Sequence, residues 1–112
     1  MAFRKDPSPE AKWRERRRGV RMNSRIRIGV EWEGPDGLRH REEAVTRIVS
    51  PYGCLVVLRH NLALEQKVQV TNLETQQNAR AAVVWKGHER AEGFELGVEL
   101  VSPGTDFWGM EL

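Results

Sequence analysis

From residue 25 onward the chain alternates apolar and polar residues with a period of two, and that alternation constrains it to β-strands. Ile26, Ile28, Val30 and Trp32 interleave with Arg25, Arg27, Gly29 and Glu31, the pattern of a strand buried on one face. Gly34-Pro35-Asp36-Gly37 is a turn signal. A second strand is expected from about Arg39 to Val49, ending at Ser50-Pro51-Tyr52-Gly53, and the apolar run Cys54–Leu58 reads as a third. Lys67–Thr71 carries Val68 and Val70 on one face, and the polar stretch Asn72–Asn78 turns the chain. Ala79–Trp85 then gives a strand with Ala79, Ala81, Val83 and Trp85 expected in register toward the core. After a turn over Gly87–Gly93, Phe94, Leu96, Val98 and Leu100 alternate with Glu95, Gly97 and Glu99 until Ser102-Pro103-Gly104 stops the strand. Thr105–Leu112 is expected to form a short helix or cap, with Phe107 and Trp108 closing one end of the core. Six short strands between turn signals, with almost no helical period, define an all-β fold: a small six-stranded antiparallel β-barrel over residues 25–112.

Residues 1–24 have a different character and read as a basic arm. Ser8-Pro9-Glu10 suits the start of a short helix running through Trp13 to Arg18, with Gly19 ending it. The sequence Arg16-Arg17-Arg18-Gly19-Val20-Arg21 contains the spacing R-x-x-x-R from Arg17 to Arg21. Arginine forks onto phosphate oxygens and stacks flat on aromatic bases, so such a cluster suits a ligand carrying both. The same run also fits a solvated tail. The net charge of +2 divides unevenly: residues 1–27 hold ten Lys/Arg against three Asp/Glu, or +7, and the remainder holds eight against thirteen, or −5. The basic character belongs to the arm, and a barrel body of −5 argues against a nucleic-acid-coating surface, so neither DNA nor RNA is expected as a partner.

Other classes of function find little in the chain. The lone Cys54 sits in an apolar run and reads as a small core residue in a reducing compartment. No apolar stretch approaches the ~20 residues of a membrane span, and the N-terminus lacks a secretory apolar segment; a cytoplasmic location is the expectation. His40, His60 and His88 show no ligand spacing with one another or with Cys54, so no metal or other cofactor is expected. The acid pairs Glu42-Glu43 and Glu31/Glu33 fit polar strand faces, no nucleophile elbow surrounds Ser50, and no phosphate-binding glycine loop appears. The chain is not expected to be an enzyme. Trp32 and Trp85 are expected in the core rather than as a stacking platform.

The order of these pieces resembles the PilZ family. Arg17-Arg18-Gly19-Val20-Arg21 stands where that family has its basic R-x-x-x-R arm, Thr46-Arg47-Ile48-Val49-Ser50-Pro51-Tyr52-Gly53 where it has an S-x-x-G corner, and Gly93-Phe94-Glu95-Leu96-Gly97-Val98-Glu99-Leu100 is similar to its late strand. The resemblance implies a six-stranded barrel that senses the bacterial second messenger cyclic di-GMP, with Arg17, Arg18 and Arg21 as a clamp and Ser50 and Gly53 on the barrel face. Closure of the arm on the ligand would then change a surface seen by a downstream protein partner, which the resemblance does not specify. One position departs: the family carries Asp or Asn two residues before the serine, and here Ile48 stands there. Ile48 cannot accept from guanine N–H donors, which leaves open a second reading, a degenerate PilZ-type protein-interaction module that does not bind the nucleotide.

Overall fold

The computed structural model describes residues 23–102 and 105–109. The strands are β1 (Arg27–Glu33), β2 (Arg39–Ser50), β3 (Gly53–Leu58), β4 (Lys67–Asn72), β5 (Asn78–Arg90) and β6 (Gly93–Leu100), with a 3-10 turn, Thr105–Trp108, after them. They close into a barrel in the order β1-β2-β3-β6-β5-β4, every neighbouring pair antiparallel. Closure leaves no sheet edge to be covered, which lets the described residues bury one core within a single sheet.

The period-two pattern supplies that core. Ile26, Ile28, Val30 and Trp32 all point inward, joined by Val49, Cys54, Val56, Leu58, Val68, Val70, Ala81, Val83, Leu96, Val98 and Leu100. Each fully buried aliphatic side chain contributes about 1.5–3 kcal/mol. Phe107 and Trp108 are buried and meet edge to face, 4.8 Å between ring centroids, so the C-terminal turn closes one end of the core as its sequence indicates. Two buried polar groups fix this cap. Asn72 Nδ2 donates to the Phe107 carbonyl at 2.9 Å, while its Oδ1 accepts from the Glu74 and Thr75 amides. Trp108 Nε1 donates to the Ser50 carbonyl at 2.7 Å.

Two strands differ from the alternation. β5 runs through Arg90 instead of stopping at Trp85, and its ladder with β6 shifts register between Val83 and Trp85. A bulge of this kind inserts one residue and moves the rest of the strand to the other face. Val83 is therefore in the core and Trp85, expected there, lies half-buried on the outside. β2 has a second shift between Thr46 and Ile48, opposite β3.

Burial fixes the chemistry of Cys54. With 1 % of its surface exposed, its thiol is pushed up from 9.0 to about 12 by desolvation. We expect iodoacetamide at mildly alkaline pH to spare the folded protein and to label Cys54 promptly once guanidinium unfolds it, as read by intact mass. The native state holds this proton longer than the unfolded chain, so stability declines as pH rises from about 9 toward about 12. Prompt labelling of the native protein would show the thiol is not enclosed.

Candidate functional site

The strand starts and ends that carry the expected barrel-face site residues gather at one end of the barrel. Antiparallel order places the start of β1, the end of β2, the start of β3 and the end of β6 together, and the C-terminal turn caps the same end. The chain enters here. Ser24 and Ile26 are bonded to Thr46, a fully buried residue of β2: Thr46 Oγ1 donates to the Ser24 carbonyl at 2.6 Å and accepts from the Ile26 amide at 2.9 Å. The Thr46 amide completes the clasp by donating to the Ile26 carbonyl. Arg17, Arg18 and Arg21, with the helix expected before them, lie outside the described residues.

Four residues beyond Thr46, β2 ends at the Ser50–Gly53 corner. Ser50 has no exposed surface; its Oγ accepts from the Tyr52 amide at 3.1 Å, and its carbonyl is held by Trp108. The hydroxyl keeps its own hydrogen for donation, but a ligand meets it only when the groups covering the corner move. Gly53 pairs with Ser50 on one side and Glu99 on the other. A Cβ at this position would collide with the Val98 carbonyl oxygen and come within 2.9 Å of Glu99 Cα. Close approach of β3 to β6 therefore requires glycine here whether or not a ligand is bound.

The outer face beside the corner is partly apolar. Ile48 pairs with Leu55, Leu55 with Gly97, and Gly97 with Trp85, so these four form one row across β2, β3, β6 and β5. Their neighbours Val49, Cys54, Val56, Leu96 and Val98 point into the core, so the row faces out. Ile48 is half-buried among apolar neighbours rather than turned into the core. At the far end the Trp85 indole lies along the sheet: a Cβ on Gly97 would sit 3.1 Å from Trp85 Cβ, and one on Gly87 would sit 2.6 Å from its Cη2. The two glycines thus clear the ground for a flat, half-exposed aromatic face. Below it, Glu95 is buried and its carboxylate receives Arg90 Nη2 at 3.3 Å on both oxygens. The alternation alone assigns Trp85 to the core; Gly87 and Gly97 are the available hint that an indole needs room outside.

The opposite end of the barrel carries other clusters. Trp32 is stacked with His40 and meets His60 edge-on at 4.9 Å. Glu42 accepts from the Arg59 amide at 2.7 Å and from the His60 amide at 3.3 Å, and it pairs with His60 Nδ1 at 2.8 Å, which satisfies the end of β3. Among the described residues no group of three or more His, Cys, Asp or Glu is placed to hold a metal ion. An open groove of about 620 Å³ also lies at that end, where the β1–β4 ladder stops at Glu31↔Gln69. Its cations Arg39, Lys67 and Arg80 are matched by Glu31, Glu33 and Glu65, so it offers an anion no net attraction. Among the described residues no helix is long and apolar enough to cross a membrane.

Comparison with protein-family models, with curated proteins and with solved structures finds no match.

Proposed function

We propose that this protein is a non-enzymatic cyclic di-GMP receptor module whose arginine arm closes on the ligand against the outer face beside the Ser50–Gly53 corner. The observation that carries the reading is the Thr46 clasp. It ties Ser24, three residues after Arg21, to the strand that reaches the corner four residues later. Three residues of chain span at most about 11 Å, and four residues of strand cover about 13 Å. Chain connectivity thereby bounds the separation of Arg21 from the corner at about 24 Å, and closure of the arm over that span is part of the proposal. The Trp85 indole on the same face suits a purine ring, since base–aromatic stacking contributes about 1–3 kcal/mol per base. Arm and face together supply phosphate-pairing cations and a stacking surface, the two features of a cyclic dinucleotide. The downstream partner is a protein that sees the arm in its closed state.

Isothermal titration tests this directly. Cyclic di-GMP should bind saturably, GTP and GMP should not, and Trp85→Ala should weaken binding roughly 5- to 100-fold with the barrel intact. No heat at high micromolar cyclic di-GMP would sink the reading. Two observations favour the alternative, a PilZ-type interaction module without nucleotide: Ile48 offers no acceptor, and Ser50 is sequestered. In that case the apolar row from Ile48 to Trp85 is a protein contact, and wild type shows no nucleotide binding while Ile48→Asn creates it.

A further inference from the structure

The outer face of β2, β3, β6 and β5 is apolar beyond the row from Ile48 to Trp85. Val57 lies between the core residues Val56 and Leu58, so it faces outward, half-buried, two residues along from Leu55. Val45 lies between the core-packed Ala44 and the buried Thr46 and is 41 % exposed. Two ion pairs border this surface: Arg47, next to Ile48, meets Glu92 at 3.2 Å, and Glu95, opposite Val57, meets Arg90 at 3.3 Å. An apolar patch with a polar rim marks a contact surface. We infer that Trp13 of the N-terminal arm is its occupant, seated on Ile48 and Leu55 in the ligand-free protein. Arg16, Arg17, Arg18 and Arg21 are then strung between two anchors, Trp13 on the row and Ser24 in the Thr46 clasp. The contact stands apart from the receptor reading; the use made of the held arginines rests on it.

Attachment, reach, area and charge single out the arm. Residues 1–22 join the described chain beside the Thr46 clasp. Trp13 stands eleven residues before Ser24, a span of up to about 36–40 Å extended, or about 16 Å if wholly helical. Ile48 is two residues from Thr46 along β2, about 7 Å, and Leu55 is one strand spacing further, about 5 Å. Trp13 reaches both by either course. Eight of residues 1–22 are Lys or Arg, and Trp13 is the largest apolar side chain among them. A second copy fits the surface less well. The row crosses three strand spacings, about 14 Å, and with Val57 offers on the order of 200 Å², against about 800 Å² per partner in a standard interface. Charge decides the same way: a +7 arm on a −5 body attracts, whereas two −5 bodies repel. A tethered side chain is also present at millimolar effective concentration, which a free partner is not. With Trp13 seated, the arginines have less freedom to lose when they close on phosphates, and Trp85 at the far end of the row stays available to a base.

The test is the rate at which trypsin cuts the full-length protein after Arg14, Arg16, Arg17 and Arg18, without nucleotide, against a synthetic peptide of residues 8–24. Cleavage of a docked segment tracks the population of its open form. Burial of a large apolar side chain favours docking by roughly 10- to 100-fold, so wild type should be cut more slowly than the peptide by that factor. Trp13→Ala should raise the rate to that of the peptide, and Trp13→Phe should stay within about threefold of wild type. Leu55→Ser, with its thermal melt checked, should release the arm as Trp13→Ala does, and the double variant should add nothing further. Wild type cut at the peptide's rate overturns the contact, as does protection unchanged in Trp13→Ala. Protection that grows with protein concentration overturns it too, and gives the row to a second copy. No nucleotide enters this experiment, so its failure leaves the receptor reading standing, and failed titration with cyclic di-GMP leaves the Trp13 contact standing.

Discussion

Gly53→Ala should cost about 3 kcal/mol or more, the scale of the severe single-site losses that come from backbone strain and overpacking. The added methyl would collide with the Val98 carbonyl oxygen, which is main chain in β6, and would crowd Glu99 Cα at 2.9 Å. Neither atom can withdraw without opening the β3–β6 ladder, which runs from Gly53↔Glu99 to Leu58↔Phe94. A flexible side chain would have yielded; backbone does not. In urea a loss of 3 kcal/mol lowers the midpoint by about 1–3 M, and in a thermal scan it lowers Tm by about 12–24 °C for a domain near this size. A loss below about 1 kcal/mol would mean that β3 and β6 are not so close. Lost ligand binding in a Gly53 variant is therefore no evidence of ligand contact, because the fold is lost first. Trp85 lies outside the core cluster, so its variants can separate the two.

Gly53 shows where sequence reading succeeds and where it stops. Strand identity, the turns and most core residues were legible because alternation at period two is a direct image of one-sided burial, as Ile26, Ile28, Val30 and Trp32 illustrate. The end cap was legible from Phe107 and Trp108 because two large aromatics after a strand stop have few other places to go. Trp85 was not legible. The bulge after Val83 leaves no mark in the apolar pattern, and one inserted residue sends a core assignment to the surface. The same limit applies at Ile48, whose outward side is set by the shift after Thr46. Thr46 itself, the residue that ties the chain entry to the corner strand, looks like an ordinary strand threonine until its two bonds to Ser24 and Ile26 are in view. Candidate site residues separated by tens of positions come together through barrel order, which pairs β3 with β6; adjacency in sequence gives no hint that Gly53 faces Glu99.

Arg17→Ala combined with Arg21→Ala should abolish measurable cyclic di-GMP binding while leaving thermal stability within a few degrees of wild type. A hydrogen bond to a charged group contributes about 1.5–3 kcal/mol, and an arginine forked onto phosphate makes its contact in a bidentate geometry. Two such losses amount to roughly 3–6 kcal/mol, a weakening of more than about 100-fold. The described core is built from strand residues, Ile26, Leu62 and the C-terminal turn. Binding should also fall as salt rises, because cations facing phosphates at the protein surface are screened over about 8–10 Å at ordinary ionic strength. Ile48→Asn supplies the contrast. If the ligand's guanine donors are already satisfied, the new amide changes wild-type affinity by less than about threefold; if they are left unpaired, it improves binding roughly tenfold to a hundredfold, the effect of satisfying a buried donor. Calorimetry on the three proteins therefore separates the possibilities by magnitude. Loss in the double arginine variant with little change in Ile48→Asn is the result expected of a working clamp. Retained binding in the double variant would remove the arm from the mechanism and leave the Trp85 face to account for whatever the barrel recognises.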